Sequence, residues 1–300
     1  MDDISMQKPE VPVIVIERDE QPQSSETVTK AVLPSKKQTW VKRLLKLLAT
    51  GVLMAAVIAG YYFWNYYYNI GIPVSVSPKQ NIEKLQQTVE HETPAVIMTG
   101  DSILGVAMDF YAIHGLKASI EFVEPDTADA SVYLYCRSAD HKADGKYLGS
   151  LVANGEERQS DTHRLGYMAM LGDNTVIGIS RSETVKDYVQ ERGGSFFRQF
   201  VLVSDGVMPT RFYLHGKVER RAIGRIDNRL YYIATRNKET LWDFADALRE
   251  YGFIDAIYIT GGTDYSFYRS QDGERHDIGD SADYPHKKWK GIIPWLVFRK

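Results

Sequence analysis

The chain contains very little cysteine. Cys136 is the one cysteine among its 300 residues, so no disulfide can form within the chain. Secreted eukaryotic domains of this size commonly carry disulfides, because an oxidising compartment preserves them. For any part of the protein that lies outside the cytoplasm, the sequence therefore favours a bacterial cell envelope.

Other features that would mark a function class are also missing. The 36 basic residues are balanced by 39 acidic ones, so the basic surface that nucleic acid requires is not expected. The seven histidines form no His-x-His or His-Glu-x-x-His pattern, and no Gly-x-x-x-x-Gly-Lys loop is present. The sequence thus predicts no metal site and no phosphate-binding loop, and it leaves the need for a cofactor unknown.

The N-terminal segment is polar and biased in composition. Residues 1–40 are rich in Glu, Gln, Ser, Pro and Lys. Such a segment cannot bury enough apolar surface to offset the entropy lost on ordering, so we predict a disordered tail. Its apolar run at residues 11–16 could still add as a strand to the sheet edge of a partner.

An uncharged apolar stretch follows this tail. Residues 47–64 carry no formal charge, and Lys42, Arg43 and Lys46 lie just before them. As a helix, this stretch is about 27 Å long, close to the thickness of the hydrocarbon core of a bilayer. Tyrosines and tryptophan cluster at its far end, as is typical of a membrane interface. We therefore expect residues 44–68 to form a transmembrane anchor and residues 69–91 to form a linker.

Two other interpretations of this stretch fit less well. A cleaved signal peptide would have its charged region near residue 1 and would end in small residues. A buried core helix would not be preceded by a basic cluster and followed by an aromatic one. The basic residues precede the stretch and no equivalent cluster follows it, so the positive-inside rule places the tail in the cytoplasm. The rest of the chain would then be periplasmic or extracellular, held to the membrane by one helix.

From residue 92 onward the sequence is dominated by short β-type segments. Alternating or β-branched runs predict strands at residues 95–98, 118–122, 131–135, 148–153, 164–171, 175–179, 200–203, 221–226, 229–234, 254–262 and 292–298. Helical spacing of apolar residues predicts short helices at residues 182–192 and 241–252, the second capped by Thr240 and ended by Gly252. Gly172-Asp173-Asn174 and Asp227-Asn228 predict hairpin turns between the strands that flank them. Because strands and helices do not alternate, we expect an α+β domain at residues 92–300. Its sheet would be mixed and mostly antiparallel, with one or two packed helices.

One part of this domain has a recognisable order of motifs. Residues 219–224 read Glu-Arg-Arg-Ala-Ile-Gly, a helix is predicted next, and residues 254–262 form a strand that ends in Gly261 and Gly262. This order resembles the phosphodiester glycosidase domain family. There, Arg-Thr-Ala-Ile-Gly is followed by an amphipathic helix and by Asp-Ala-x-x-Leu-Asp-Gly-Gly-Gly-Ser. The resemblance covers roughly residues 130–300.

The resemblance implies a set of site residues. Arg220 stands where the family has the arginine of its cleft, and Arg198 approaches the same cleft in the family frame. A guanidinium group suits a phosphodiester because it donates two parallel hydrogen bonds and stays charged. Gly261 and Gly262 would let the backbone approach the ligand. The implied ligand is a glycan or lipid-linked glycosyl phosphodiester. A solvated arginine at a strand start and a plain glycine turn are the alternatives.

The chain departs from the family at one polar position. Thr260 stands where the family has the aspartate of Asp-Gly-Gly, and a hydroxyl cannot replace a carboxylate as base or nucleophile. Asp264 could supply the missing carboxylate from the following loop, and Asp140 and Asp144 are candidates for a polar edge. Two functions stay open: hydrolysis of a glycosyl phosphodiester, with Arg220 and Asp264 as catalytic residues, or binding of such a ligand or a protein without catalysis.

A different enzyme class also has a partial signature. Gly-Asp-Ser at residues 100–102 and Asp283-x-x-His286 resemble the first and last blocks of the Gly-Asp-Ser esterases. In those enzymes serine is the nucleophile, histidine the base and aspartate its orienting group. That fold requires repeated βα units between the two blocks, whereas the intervening sequence here predicts strands joined by hairpins. The plain interpretation of Ser102 is a turn residue after a strand.

The predicted orientation can be tested directly. A reporter enzyme that is active only outside the cytoplasm, fused after Lys300, should be active, because the basic cluster holds the N-terminus inside. A matched reporter that functions only in the cytoplasm should be silent at the same position. The opposite pattern would overturn the predicted topology.

Overall fold

A computed structural model of the chain describes residues 36–67, 81–89, 92–139, 146–209, 212, 215–262, 264–279 and 292–300. The first element is helix α1, Lys36–Tyr67. Its segment from Thr39 to Phe63 is long and apolar enough to cross a membrane, and its large apolar side chains are exposed. The predicted spanning helix is thus confirmed by length and composition. Residues 1–35, which hold most of the predicted tail and the run at 11–16, and residues 68–80 of the predicted linker lie outside the described residues.

The remaining described residues form a β-rich unit. In chain order its strands are β1 Ala95–Ile103, β2 Val106–His114, β3 Lys117–Glu121, β4 Val132–Arg137, β5 Leu151–Ala153, β6 Glu156–Gln159, β7 Gly166–Leu171, β8 Asn174–Ile179, β9 Ser195–Gln199, β10 Val201–Val203, β11 Arg220–Ile226, β12 Arg229–Thr235, β13 Asp255–Gly261, β14 Tyr265–Arg269, β15 Arg275–Gly279 and β16 Trp295–Arg299. The helices are the 3₁₀-helix Glu83–Gln86, α2 Thr184–Gln190 and α3 Leu241–Tyr251.

The strands form three sheets, and every pairing within them is antiparallel. The first sheet has the strand order β1-β2-β12-β11-β13-β10. The second has the order β15-β14-β4-β16-β3, and the third the order β6-β5-β9-β7-β8. Together with the packed helices, this arrangement confirms the predicted α+β class with mostly antiparallel sheets.

One apolar core joins the three sheets. Ile223 and Ile257 of the first sheet, Leu134 of the second, and Met168 and Phe197 of the third belong to the same buried cluster. The opposite face of the first sheet is covered by α3, and the opposite face of the third sheet is covered by α2. Since the first sheet is buried on both faces, charged side chains on its strands need partners within the fold.

Local signals predicted the turns and helix ends well. The turn at Gly172 joins β7 to β8, and the turn at Asp227 and Asn228 joins β11 to β12, as expected. Thr240 caps α3 by accepting a hydrogen bond from the Asp243 amide at 3.0 Å. Gly252 ends α3 in the left-handed conformation at φ 107°. These features confirm the predicted hairpins and the caps of the second helix.

Other elements were not predicted from the sequence. Strands β2, β6, β9, β14 and β15 were missed, and β1 extends five residues beyond the predicted residue 98. Ser102 is therefore not in a turn after a strand; it lies within β1 and pairs with Ala107. Pairing with β2 stabilises the extended conformation of β1 beyond residue 98, where the local sequence signal for a strand was weak.

The face assigned to α3 gives a stability test. Leu248 is fully buried between α3 and the first sheet, so Leu248→Asp would place a charge in the core. We expect residues 75–300 to fold without the membrane helix and Leu248→Asp to destabilise that fragment by about 4 kcal/mol or more. Urea denaturation measures the change, and Glu250→Asp on the exposed face of the same helix is the control. A parental denaturation midpoint for Leu248→Asp would show that this helix face is not the packed one.

Candidate functional site

Polar residues from the first and second sheets meet at one edge of the fold. Arg137 is the last residue of β4, Arg221 lies at the start of β11, Thr260 lies near the end of β13, and Asp264 comes just before β14. All four side chains are buried. We call these four residues the Asp264 cluster.

Asp264 is the centre of this cluster. Its Oδ2 accepts a hydrogen bond from the Thr260 hydroxyl at 2.6 Å, and its Oδ1 accepts one from the Tyr265 amide at 2.9 Å. Arg137 Nη1 lies 3.4 Å from Oδ1 and forms a buried ion pair with the carboxyl group. A carboxylate therefore lies beside the Thr260 hydroxyl. It belongs to Asp264, the residue that the sequence offered as a possible source of the missing carboxylate.

Arg221 closes the cluster from the side of the first sheet. Its Nη1 donates to the Gly262 carbonyl at 2.7 Å and its Nη2 donates to the Asp264 carbonyl at 3.2 Å. Nη2 also lies 3.5 Å from the Glu219 carboxylate. Nε is buried without a hydrogen-bond partner among the described residues. One donor of this guanidinium thus has no partner among the described residues, as is also the case for Nε of Arg198.

The charges of the cluster stabilise one another. Burial would lower the pKa of Arg221, but the nearby Tyr232, Asp264 and Glu219 outweigh burial and raise that pKa above its usual value. Burial, with a contribution from Asp264, raises the pKa of the Cys136 thiol well above its ordinary value. Tyr232 donates to or accepts from the Ser266 hydroxyl at 2.8 Å, and burial raises the pKa of its phenol. At neutral pH the cluster therefore keeps Arg221 charged and Cys136 and Tyr232 neutral.

The glycines around the cluster have structural reasons to be glycine. A Cβ on Gly261 would lie 2.0 Å from the Tyr258 hydroxyl oxygen. Gly262 has φ 81°, which disfavours other residues, and its amide donates to the Glu219 carbonyl at 2.9 Å. The paired glycines thus hold the end of β13 against β11, and the Gly262 carbonyl accepts a hydrogen bond from Arg221.

Arg220 lies on the opposite face of β11 from Arg221, because successive side chains of a strand alternate. Its Nε donates to the Glu239 carbonyl at 2.8 Å and its Nη2 donates to the Gly216 carbonyl. Its amide donates to the Thr235 hydroxyl at 2.8 Å. These contacts tie Arg220 to the main chain on the α3 side of the sheet, while its backbone still pairs with Gly261.

Arg198 lies in the third sheet. Its Nη1 donates to the Ser180 carbonyl, and its Nη2 donates to the Ser182 carbonyl at 2.7 Å and to the Glu183 carboxylate at 2.9 Å. Burial lowers the pKa of Arg198, although the charge of Glu183 counteracts this. These contacts anchor the start of α2, and none of the hydrogen bonds seen for Arg198 in the described part of the chain reaches the Asp264 cluster.

The structure gives little information about the remaining predicted site residues. Asp140, Asp144, Asp283 and His286 lie outside the described residues. Ser102 is exposed on the edge strand β1. Within the described ranges, no group of three or more His, Cys, Asp or Glu side chains is arranged to hold a metal ion.

A cavity of about 510 Å³ lies elsewhere in the β-rich unit, at the end of β11 that is remote from the cluster. Its basic residues include Lys117, Arg225 and Arg229. Each of these three is already paired with an acidic side chain: Asp173 at 2.8 Å, Asp255 at 2.6 Å and Glu92, respectively. We therefore regard the Asp264 cluster, which holds an unsatisfied donor and unusual buried charges, as the stronger candidate site.

The sequence did not reveal two members of the cluster. Arg221 stands at the position of the family threonine, for which the resemblance implies no role in the cleft, and no sequence motif marks Arg137. A sequence signal for Arg221 did exist, because alternation along β11 puts it on the same face as Ile223 of the core. An arginine on such a face requires a buried partner.

Comparisons with known proteins give a relation at the level of fold. No known family profile matches the sequence, and no curated protein sequence matches it. The structure is similar to the catalytic domain of zebrafish N-acetylglucosamine-1-phosphodiester alpha-N-acetylglucosaminidase, which was solved auto-inhibited by its pro-peptide. The TM-score is 0.50 at 12% identity, over 71% of this chain and 84% of that chain. A hypothetical protein from Synechocystis gives a TM-score of 0.45 at 10% identity, over 68% and 62% of the two chains. The resemblance to the phosphodiester glycosidase domain is thus confirmed as a shared fold.

The burial of Asp264 predicts a large effect of neutralising it. Asp264→Asn removes the charge that pairs with Arg137 and offers Thr260 an amide in place of one carboxylate oxygen. Breaking a buried ion pair costs about 3–5 kcal/mol, so we expect a loss of that size in the free energy of unfolding. Denaturation of Asp272→Asn, on an exposed turn, is the control and should change far less, because that carboxylate keeps its contact with water. Equal stability of the two variants would mean that the cluster is not closed as described.

Proposed function

We propose that this protein is a membrane-anchored hydrolase of glycosyl phosphodiesters, with its β-rich unit outside the cytoplasm. The observation that carries the proposal is the Asp264 carboxylate, 2.6 Å from the hydroxyl of Thr260 and flanked by Arg137 and Arg221. The shared fold supports it, because the zebrafish protein is by name a phosphodiester glycosidase. The ligand would be a sugar joined through phosphate to a glycan or a lipid.

The chemistry of the cluster suits such a ligand. A phosphodiester carries one negative charge over two free oxygens, and a guanidinium group matches that geometry with two donors. Arg221 has the requisite charge, and its Nε is a buried donor with no acceptor among the described residues. Arg220, which the family frame assigns to the anion, stays a prediction for that role. Its contacts with Gly216 and Glu239 support a positioning role for the segment before β11.

A binding module without catalysis is the second candidate function. Two observations favour the binding module. Thr260 stands where the family has an aspartate, and Asp264 is almost completely buried. A carboxylate that is closed to water and already hydrogen-bonded can stabilise an arginine without reacting. The two functions therefore share the ligand and differ in turnover.

A paired arginine experiment tests the proposal. We expect Arg221→Lys to reduce the hydrolysis of sugar phosphodiesters by about 100-fold, because lysine keeps the charge but loses the two-donor fork. Arg220→Lys should reduce it less, since the Arg220 side chain lies on the opposite face of β11 from the Asp264 cluster. The measurement is turnover of a panel of sugar 1-phosphodiesters by the detergent-solubilised full chain, with Arg249→Lys on the exposed face of α3 as control. If Arg220→Lys is the variant that loses activity, the family assignment is right and the site lies on the other face of β11.

Thr260→Asp separates the two functions. The new carboxylate would stand beside that of Asp264, and two like charges at such a distance cannot both ionise readily. We therefore expect lower stability and no gain in turnover if Asp264 already serves this protein. A gain in turnover would show that the protein descends from an active enzyme and that the replacement of aspartate by Thr260 lowered its activity. No turnover by the parent, with retained binding of the sugar phosphodiester, would favour the binding module.

A further inference from the structure

Two acidic side chains border Arg221, and they differ in their access to solvent. The side chain of Asp264 is 3% exposed, whereas that of Glu219 is 32% exposed. Both residues contact Arg221 Nη2: the Asp264 carbonyl accepts a hydrogen bond from it at 3.2 Å, and the Glu219 carboxylate lies 3.5 Å from it. An incoming ligand that reaches Arg221 from solvent therefore meets Glu219 first.

Asp264 is poorly placed to act on a reacting atom. Its two oxygens are taken up by the Thr260 hydroxyl, the Tyr265 amide and Arg137. A general base must come within about 2.6–3.2 Å of the proton that it removes, directly or through one water. Among the described residues these contacts leave no such approach, so Asp264 has the contacts of a residue that orients Thr260 and the two arginines.

Glu219 has the complementary properties. Its backbone is fixed, because its carbonyl accepts a hydrogen bond from the Gly262 amide at 2.9 Å. Its Oε2 lies 3.5 Å from Arg221 Nη2, so the carboxylate sits beside the guanidinium group without being enclosed by it. A carboxylate that is partly exposed and held beside a guanidinium group can reach a water molecule next to that cation, which is the position a general base requires.

We propose that Glu219 is the catalytic base of this site and that Asp264 is a positioning residue; this inference rests on the proposed function. Glu219 removes a proton from a water molecule as the water oxygen forms a bond to the anomeric carbon. The bond from that carbon to the phosphate oxygen breaks, and the phosphate monoester leaves with the electron pair. Glu219 then releases its proton to solvent, so the products are the free sugar and the phosphate monoester.

This division of roles agrees with the chemistry of the leaving group. A phosphate monoester is a weakly basic leaving group, with a second pKa near about 6, so it departs without a proton donor. It needs stabilisation of its negative charge, which Arg221 can supply. One base and one cation are then sufficient, and a second exposed carboxyl group is not required.

The test uses the full chain in detergent and a sugar 1-phosphodiester that the parent hydrolyses. We expect Glu219→Gln to lower kcat by at least about 100-fold while KM changes less than about threefold. The acidic limb of the pH profile of kcat, which reports the base, should disappear in Glu219→Gln. Azide should restore turnover to Glu219→Ala and yield a glycosyl azide, because azide attacks carbon without needing a base. Glu250→Gln, an exposed glutamate on α3, should behave as the parent does.

The other outcomes also decide the matter. A Glu219→Gln protein within about threefold of the parental kcat overturns the role of Glu219 and leaves the proposed function standing. A Glu219→Gln protein that has lost the parental melting transition assigns the side chain to folding, and this too overturns the inference. A parent that hydrolyses no member of the panel refutes the proposed hydrolase, and the role of Glu219 falls with it.

Discussion

Asp264 brings a negative charge into surroundings that are almost closed to water, and the neighbouring strands supply what that charge requires. Desolvation of a carboxylate costs several kcal/mol unless ion pairs and hydrogen bonds replace the lost water. Here Thr260 comes from β13, Arg137 from β4, and the Tyr265 amide from β14 itself. Because these partners belong to two different sheets, the buried charge fixes how the edges of those sheets meet.

The same requirement bears on the position where the chain departs from the motif of the phosphodiester glycosidase domain, which the sequence resembles. Thr260 offers a donor where the family has a carboxylate, and Asp264 places its carboxylate against that donor from four residues further along. Arg221 then occupies the position of the family threonine. Glycine at residue 279 leaves room for this arginine, since a Cβ there would lie 3.0 Å from Arg221 Nη2 and closer still to the Asp264 carbonyl.

The sequence predicted those parts of the fold that depend on local physics. Capping by Thr240, the left-handed Gly252 and the hairpin turn at Asp227 each depend on a few neighbouring residues, and all were correct. Strands such as β2 and β14 depend on partners far along the chain, so their local signal was weak. The site shows the same division: Thr260 and Asp264 stood out by comparison with the family motif. Arg137 joined them only through the pairing of β4 with β14.

The last strand has a consequence for how the protein acquires its structure. β16 lies between β3 and β4, and Arg299 pairs with both Lys117 and Val132. The second sheet therefore cannot be completed until residues 295–299 have been synthesised and, in the predicted topology, exported. Contacts of such long sequence separation slow folding, because the intervening chain must be ordered before they form. Until β16 arrives, β3 and β4 have open edges that can pair wrongly, so a chaperone that protects unpaired strands would be most useful at this stage.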